Sequence, residues 1–320
     1  MHALFSNVRS SGRFSGTLLP FLLIPLLTFS AGCEKKRAEV NLEQAAVTGG
    51  SSQPQDLRPP LNIAVGAMIS PETTRTYYEE LLSHIADRMG KRAVFSQRRT
   101  YAEVNDLVRK KEVDFAFVCA GPYTQGKKEF GMELLAVPVS NNKTVYHSYI
   151  IVGSSSPLKS FNDLKGKKFA FTDPQSNTGA LVPTYMLAKM GETPQTFFKE
   201  YFYSHSHDNS IKAVAEGQAD GAAVDSLIWE FMNKIDPALT SRTRIVEKSP
   251  PYGIPPIVVH PGLDAATKKQ LKEILLTLNN DKQAKPLLEK IQIDRFVEGN
   301  DSMYNTVREM NSWIEQKTVK

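Results

Sequence analysis

An α/β fold of two hinged lobes, each a mainly parallel sheet flanked by helices, is predicted by three features of the 320-residue chain. Strand-like and helix-like segments alternate from residue 61. The alternation pauses at SYIIVGSSSP (148–157) and then starts again. A third section, from about residue 264, is amphipathic helix and needs a surface to cover, most simply the first α/β unit. The chain therefore enters one lobe, crosses to the second and returns through a two-strand hinge. Two crossings frame a cleft. The expected boundaries are 61–145 with 250–320 for lobe 1, and 146–249 for lobe 2.

Lobe 1 begins with the buried strand LNIAVGAMIS (61–70), and Pro71 then sits at a helix start. TTRTYYEELLSHIADRMG places Tyr78, Leu81, Leu82, Ile85 and Met89 at helical spacing, with Gly90 where a C-cap glycine belongs. RAVFSQ reads as a strand and YAEVNDLVRKKE as a helix. VDFAFVCAG reads as a buried strand that GPYTQ (121–125) closes, and LLAVPVS as another strand. In lobe 2, KFAFTD, YFYSH and ADGAAV read as strands, and TGALVPTYMLAKMG, DNSIKAVAEG and SLIWEFMNKI as helices. The strand PPIVVH leads into the helical tail.

Residues 1–60 read as export and attachment. Arg9 and Arg13 give a positive start, TLLPFLLIPLLTF (17–29) an apolar stretch, and SAGC (30–33) small residues before a cysteine. Pro20 and Pro25 break that stretch, which is too short for a membrane span. Small residues ahead of a lone Cys resemble a bacterial lipoprotein signal (1–32), which implies lipidation of Cys33. Ser30 stands where that signal usually has Leu, and a plain secretory signal is the alternative. Residues 33–60, rich in Gly, Ser, Pro and Gln, then form a tether. The layout implies a periplasmic or cell-surface protein anchored to a membrane by its N-terminal lipid.

The composition excludes several classes. The chain is 23% charged and 41% hydrophobic, enough to bury a core without metal or disulfide. Loss of residues 1–32 removes two arginines and no acid, so the formal charge falls from +5 to +3. That is too mild for nucleic acid, and no basic stripe with interleaved aromatics is present. Cys119 lies in an apolar run and reads as a small buried hydrophobe. No Ser-His-Asp or Cys-His arrangement supports catalysis, so no enzyme is expected. His205, His207 and Asp208 in HSHD invite a metal, but no second ligand cluster accompanies them, so neither metal nor cofactor is expected.

The chemistry gathers at one turn. TDPQSNTGAL ends a strand and opens a helix, where Ser176, Asn177 and Thr178 offer side-chain donors and Gly179 an approachable backbone. In an α/β sheet such a strand end is a ligand position, and a helix N-terminus favours anions. Ordinary helix capping explains the same residues. Asp225 likewise reads as the N-cap of SLIWEFMNKI or as a cleft residue, and Ser70 as a donor heading the first helix. Tyr123 and Thr124, closing their strand, are candidates to face the cleft.

DLKGKKFAFTDPQSNTGALVPTYML resembles the phosphonate-type substrate-binding proteins of ABC importers, whose motif runs D-L-K-G-K, strand, D-P-x-S-T-S-G, helix. The likeness continues through VDFAFVCAGPYTQ, VYHSYIIVGSSSPLKSFNDL, SHDNSIKAVAEGQAD and KSPPYGIPPIVV, over most of 61–260. It implies a type II periplasmic-binding-protein fold that closes on a phosphorus oxyanion. Ser176, Asn177 and Thr178 then look like the phosphoryl turn, with Asn177 for the usual Thr and Thr178 for the usual Ser. Tyr101 and Tyr146 match anion-reaching tyrosines, and His207 a histidine at a lobe 2 helix start. YGIPPIVV (252–259) lacks the carboxylate expected of aminoalkyl binders, which points to phosphate, phosphite or a simple alkylphosphonate. The expected partner is an ABC permease; a sensor that signals to a membrane receptor kinase or cyclase is the alternative.

Overall fold

Leu61, Ile63, Ala64 and Val65 are all buried, so the segment they share becomes a central strand. In the computed structural model, which describes residues 56–318, this is β1 (Pro60–Val65). The predicted signal, tether and Cys33 lie outside the described residues, apart from residues 56–60. There follow α1 (Pro71–Arg88), β2 (Arg92–Gln97), α2 (Tyr101–Arg109), β3 (Phe115–Phe117), α3 (Ala120–Phe130) and β4 (Glu133–Val139). Pro71 opens α1, and Gly90 just past its end takes φ +67°, which glycine adopts without strain.

The chain crosses at β5 (Val145–Tyr146) into β6 (Ser148–Gly153) and β7 (Lys168–Phe171). A five-residue π-helical turn, Asn177–Leu181, runs directly into α4 (Val182–Lys189). Then come α5 (Pro194–Phe197), β8 (Glu200–Tyr203), α6 (His207–Ala215), β9 (Gly221–Asp225), α7 (Ser226–Ile235), α8 (Pro237–Thr240) and β10 (Thr243–Lys248). The return crossing is β11 (Tyr252–Gly253), which pairs antiparallel with β5, Tyr252 opposite Tyr146. β12 (Ile257–Val259), α9 (Ala265–Thr277), α10 (Ala284–Lys290), β13 (Arg295–Val297) and α11 (Asn305–Thr318) complete the chain.

Beside the two-stranded β11-β5 pair, two larger sheets result, ordered β13-β4-β12-β3-β1-β2 and β10-β6-β9-β7-β8. They are mixed rather than mainly parallel. β1 runs parallel to β2 and β3, and β7 to β8 and β9. β12, β13, β6 and β10 pair antiparallel with their neighbours. β6 and β12 each follow a crossing between lobes, not a crossover helix, so nothing forces them parallel.

α3 is a second departure. GPYTQ does not close a strand; it forms the first turns of α3, and Cys119 is that helix's N-cap. Pro122 is tolerated because the first-turn N–H groups have no intrahelical partner to lose. The tail differs too. α9 and α10 pack on the first lobe against α1, whereas α11 touches both α3 and α4. Its stripe of Tyr304, Val307 and Met310, led by the turn before the helix, is buried with Tyr123, Tyr146, Val182 and Tyr252. Trp313 meets Tyr185 of α4 edge-on at 5.2 Å.

Candidate functional site

The strand end after β7 turns sharply because its polar residues cap one another. Asp173 Oδ1 accepts from Gln175 N–H at 2.8 Å, and Ser176 Oγ accepts from Gly179 N–H at 3.0 Å. Ser176, Asn177 and Thr178 are fully buried. Asn177 Nδ2 donates to the Tyr146 hydroxyl at 3.0 Å, while Asn177 Oδ1 and Thr178 Oγ1 have no hydrogen-bond partner. Gly179 serves packing: a Cβ there would collide with Thr172 Oγ1 and crowd His207 Cε1 at 3.0 Å. Its N–H is already taken by Ser176, so it is not the open backbone donor that the sequence suggested.

His207 is fully buried at the start of α6, and burial lowers its pKa to about 3. The ring is therefore neutral. Its Nδ1 accepts the Asp225 backbone N–H at 3.1 Å, which puts the proton on Nε2. Nε2 faces Ser176 Oγ at 3.5 Å. The assignment follows from the hydrogen bonds around the ring.

Asp225 takes its predicted place as the N-cap of α7. Its Oδ1 accepts from Leu227 N–H at 2.8 Å as the N-cap of α7, while Oδ2 is buried without a partner. Burial raises its pKa to about 7, against the weaker pull of the Leu227 and Ile228 N–H groups. The Tyr101 hydroxyl, also buried, approaches Ser176 but makes no well-formed hydrogen bond. Burial drives the phenols of Tyr101 and Tyr146 well above their ordinary value, and the neighbouring Cys119 and Asp225 push the same way. Cys119 joins this group: its Sγ lies 3.6 Å from the Tyr146 hydroxyl, and Asn177 N–H points at it. The group holds neutral donors and no lysine or arginine among these contacts.

Four buried polar atoms thus lack a partner across one junction: Tyr101 Oη, Asn177 Oδ1, Thr178 Oγ1 and Asp225 Oδ2. An unmade hydrogen bond of this kind costs about 1–3 kcal/mol. Three hydroxyl or carboxyl groups that can donate, beside a neutral imidazole N–H, suit a ligand rich in acceptor oxygens.

Two predicted residues sit elsewhere. Tyr123 points away from the cleft, donating to Asp301 Oδ1 at 2.6 Å and packing on Tyr304, because α3 carries it on the face beneath α11. Ser70 Oγ bonds Thr73 Oγ1, and its backbone N–H is held by both Asp208 oxygens at 3.0 and 3.1 Å. Sequence reasoning missed Asp173 and Asp208 as ties between lobes. Asp173 Oδ2 accepts from Tyr101 N–H at 3.1 Å, and His207 N–H donates to Met68 O at 3.0 Å. The lobes are therefore closed on one another. Gly121 marks the tightest approach, since a Cβ there would collide with Gln175 O. The signal for Asp173 was its place before Pro174 in the turn; Asp208 drew notice only with His205 and His207 as a metal cluster, not as a tie between lobes.

Residues 63–304 match the family described as ABC transporter, phosphonate, periplasmic substrate-binding protein. The chain belongs to this family. Members are binding components, so the protein captures a ligand outside the cytoplasm and is not an enzyme. A relative named as a probable ABC transporter phosphite-binding protein, from Prochlorococcus marinus, is 28% identical over 172 residues. That match covers 52% of this chain and 58% of the relative. A binding component of a phosphonate ABC transporter from Pseudomonas aeruginosa superposes with TM-score 0.78 at 23% identity, covering 82% of this chain and 88% of that one. A Prochlorococcus marinus protein solved with methylphosphonate gives TM-score 0.73 at 20% identity, covering 80% and 98%. These likenesses show the type II periplasmic-binding-protein fold.

Proposed function

We propose that the protein captures a small phosphorus oxyanion in the cleft and hands it to an ABC permease. The observation that carries this reading is the set of buried donors without partners at Thr178, Tyr101 and Asp225, in the same buried junction as the neutral His207. Thr178 Oγ1 and Tyr101 Oη donate to phosphoryl oxygens, and His207 Nε2–H adds a third donor beside Ser176. Asn177 orients Tyr146 through its amide and leaves Oδ1 for a protonated ligand oxygen. Asp225, near its own midpoint at neutral pH, donates when protonated and accepts from a ligand O–H when ionised. Neutral donors suffice for a buried oxyanion. The relatives' names support the ligand class, since one is called phosphite-binding and a structural neighbour was solved with methylphosphonate.

Thr178→Val keeps shape and β-branching but deletes the hydroxyl. Calorimetric titration with phosphate, phosphite and methylphosphonate should show binding by the wild type and a loss of about tenfold or more in the variant, the weight of one charge-assisted bond. The thermal midpoint should stay within a few degrees. No heat with any of the three anions would sink the reading.

Attachment through Cys33 completes the proposal, because a tethered binding protein stays near its permease. Cys33→Ala should move the protein from the membrane fraction to the soluble extracytoplasmic fraction while ligand affinity is unchanged. A variant that remains with the membrane excludes the anchor.

A further inference from the structure

The turn Asp301–Tyr304 and α11 touch the hinge and both lobes. Their root is held by polar contacts. Tyr304 Oη donates to Ile254 O at 2.9 Å, and Ile254 N–H bonds Thr144 O at 3.0 Å, which ties the root to both crossings. Gly253 of β11 lies flat against the same turn, since a Cβ there would stand 2.7 Å from Met303 O. From lobe 1, Tyr123 donates to Asp301 Oδ1 at 2.6 Å, and Arg308 of α11 grips the same carboxylate. The tip rests on lobe 2 instead, through rings. Trp313 meets Tyr185 of α4 at 5.2 Å, both half-buried, with Lys317 over the first ring and Lys189 over the second, each at 5.5 Å.

We infer that α11 is a strap that slows release of the bound ligand: its root stays with the hinge and lobe 1, and its tip leaves α4 when lobe 2 swings away. The inference rests on the proposed capture between the lobes, whichever anion is held. Parting at the root would take an acceptor from the buried Tyr123 and Tyr304 hydroxyls, a costly break. Parting at the tip separates two half-exposed rings and gives up an edge-to-face pair, a weaker contact. Between root and tip, Val307 and Met310 share an apolar cluster with Val182 of α4, and such contacts are non-directional and yield by sliding. A ligand held by both walls leaves only when the lobes part, so the tip contact sets its residence time.

Phosphorus NMR exchange with phosphate, phosphite and methylphosphonate reads the release rate of whichever anion binds. Trp313→Ala should speed release about fivefold, the weight of one edge-to-face ring pair, and Trp313→Phe, which keeps a ring, should restore most of the wild-type rate. Tyr123→Phe, which removes the donor to Asp301 at the root, should lower the thermal midpoint and leave release within about twofold of wild type. Trp229→Phe leaves Trp313 as the single tryptophan, and saturation with the anion should move its emission to shorter wavelength as the tip seats on Tyr185. Fast release from Tyr123→Phe together with wild-type release from Trp313→Ala overturns the inference, because α11 would then travel with lobe 2. So does a release rate that ignores both substitutions. Failure of all three anions overturns the oxyanion reading, and ligand-free scattering then judges the strap alone: Trp313→Ala should have a larger radius of gyration than the wild type, and an equal one overturns the strap.

Discussion

Asp225→Asn should become steadily less stable than the wild type on acidification, by about 1.4 kcal/mol per pH unit between pH 7 and 4. Asp225 has its pKa raised to about 7 in the folded chain, from an ordinary value of 3.8. A raised acid binds protons more readily when folded, so its stabilisation is full below pH 3.8 and is lost as pH rises through 7. The wild type gains this on acidification and the amide does not. The amide side chain still offers an oxygen to Leu227 N–H, so the cap is kept.

His207 carries the opposite sign. Its pKa falls from 6.5 to about 3 on burial, so its contribution is full above pH 6.5 and is lost as pH falls towards 3. Between pH 6.5 and 3.8 the two slopes oppose each other in the wild type. Removing the Asp225 carboxyl leaves the histidine slope uncompensated. His207→Gln, which keeps an acceptor for the Asp225 N–H, should show the reverse: stability relative to wild type that improves as pH falls. Urea unfolding at a series of pH values reads both differences, and acidic groups common to all three proteins cancel. Parallel curves for wild type and Asp225→Asn would show that the carboxyl titrates alike in both states.

Much of the fold could be read from the sequence because its elements obey local rules. RAVFSQ and SLIWEFMNKI were bounded to the residue, the second because Asp225 is a strong N-cap before an apolar helix. α3 was missed because Gly121 and Pro122 look like a turn, and only the contact with Gln175 explains why a glycine must stand there. β10 and β13 went unrecognised as well, one a half-buried strand with charged residues and the other three residues long, and both gain their order from antiparallel pairing with β6 and β4. Within the site, Ser176, Asn177, Thr178, Tyr101, Tyr146, His207 and Asp225 share one buried junction. Tyr123 and Ser70 do not, since the direction of a side chain on α3 and the use of a backbone N–H depend on packing between distant segments. Asp173 and Asp208 could not be singled out for the same reason. Their partners are main-chain N–H groups 72 and 138 residues away in sequence.

Those two carboxylates should control closure. Asp208 takes the Ser70 N–H at the head of α1, and Asp173 takes the Tyr101 N–H in the first turn of α2. Both thus place negative charge at the positive end of a lobe 1 helix from a base in lobe 2. Asp208 is held in position by Ser206 Oγ at 2.5 Å, and Asp173 by Gln175 N–H, so little reorganisation accompanies the contact. A hydrogen bond to a charged group contributes about 1.5–3 kcal/mol, and each 1.4 kcal/mol is tenfold in an equilibrium. An oxyanion held by both walls binds the closed form, so its apparent affinity scales with the closed fraction. The pair Asp173→Ala and Asp208→Ala should therefore weaken binding about 100-fold or more, with each single change near tenfold. Small-angle scattering of the ligand-free double variant should show a larger radius of gyration than the wild type, with β5 and β11 as the hinge. Asp208→Asn, which keeps an acceptor without the charge, should fall between. An unchanged affinity together with an unchanged scattering curve would assign closure to the remaining tie, His207 N–H on Met68 O, and to the packing at Gly121.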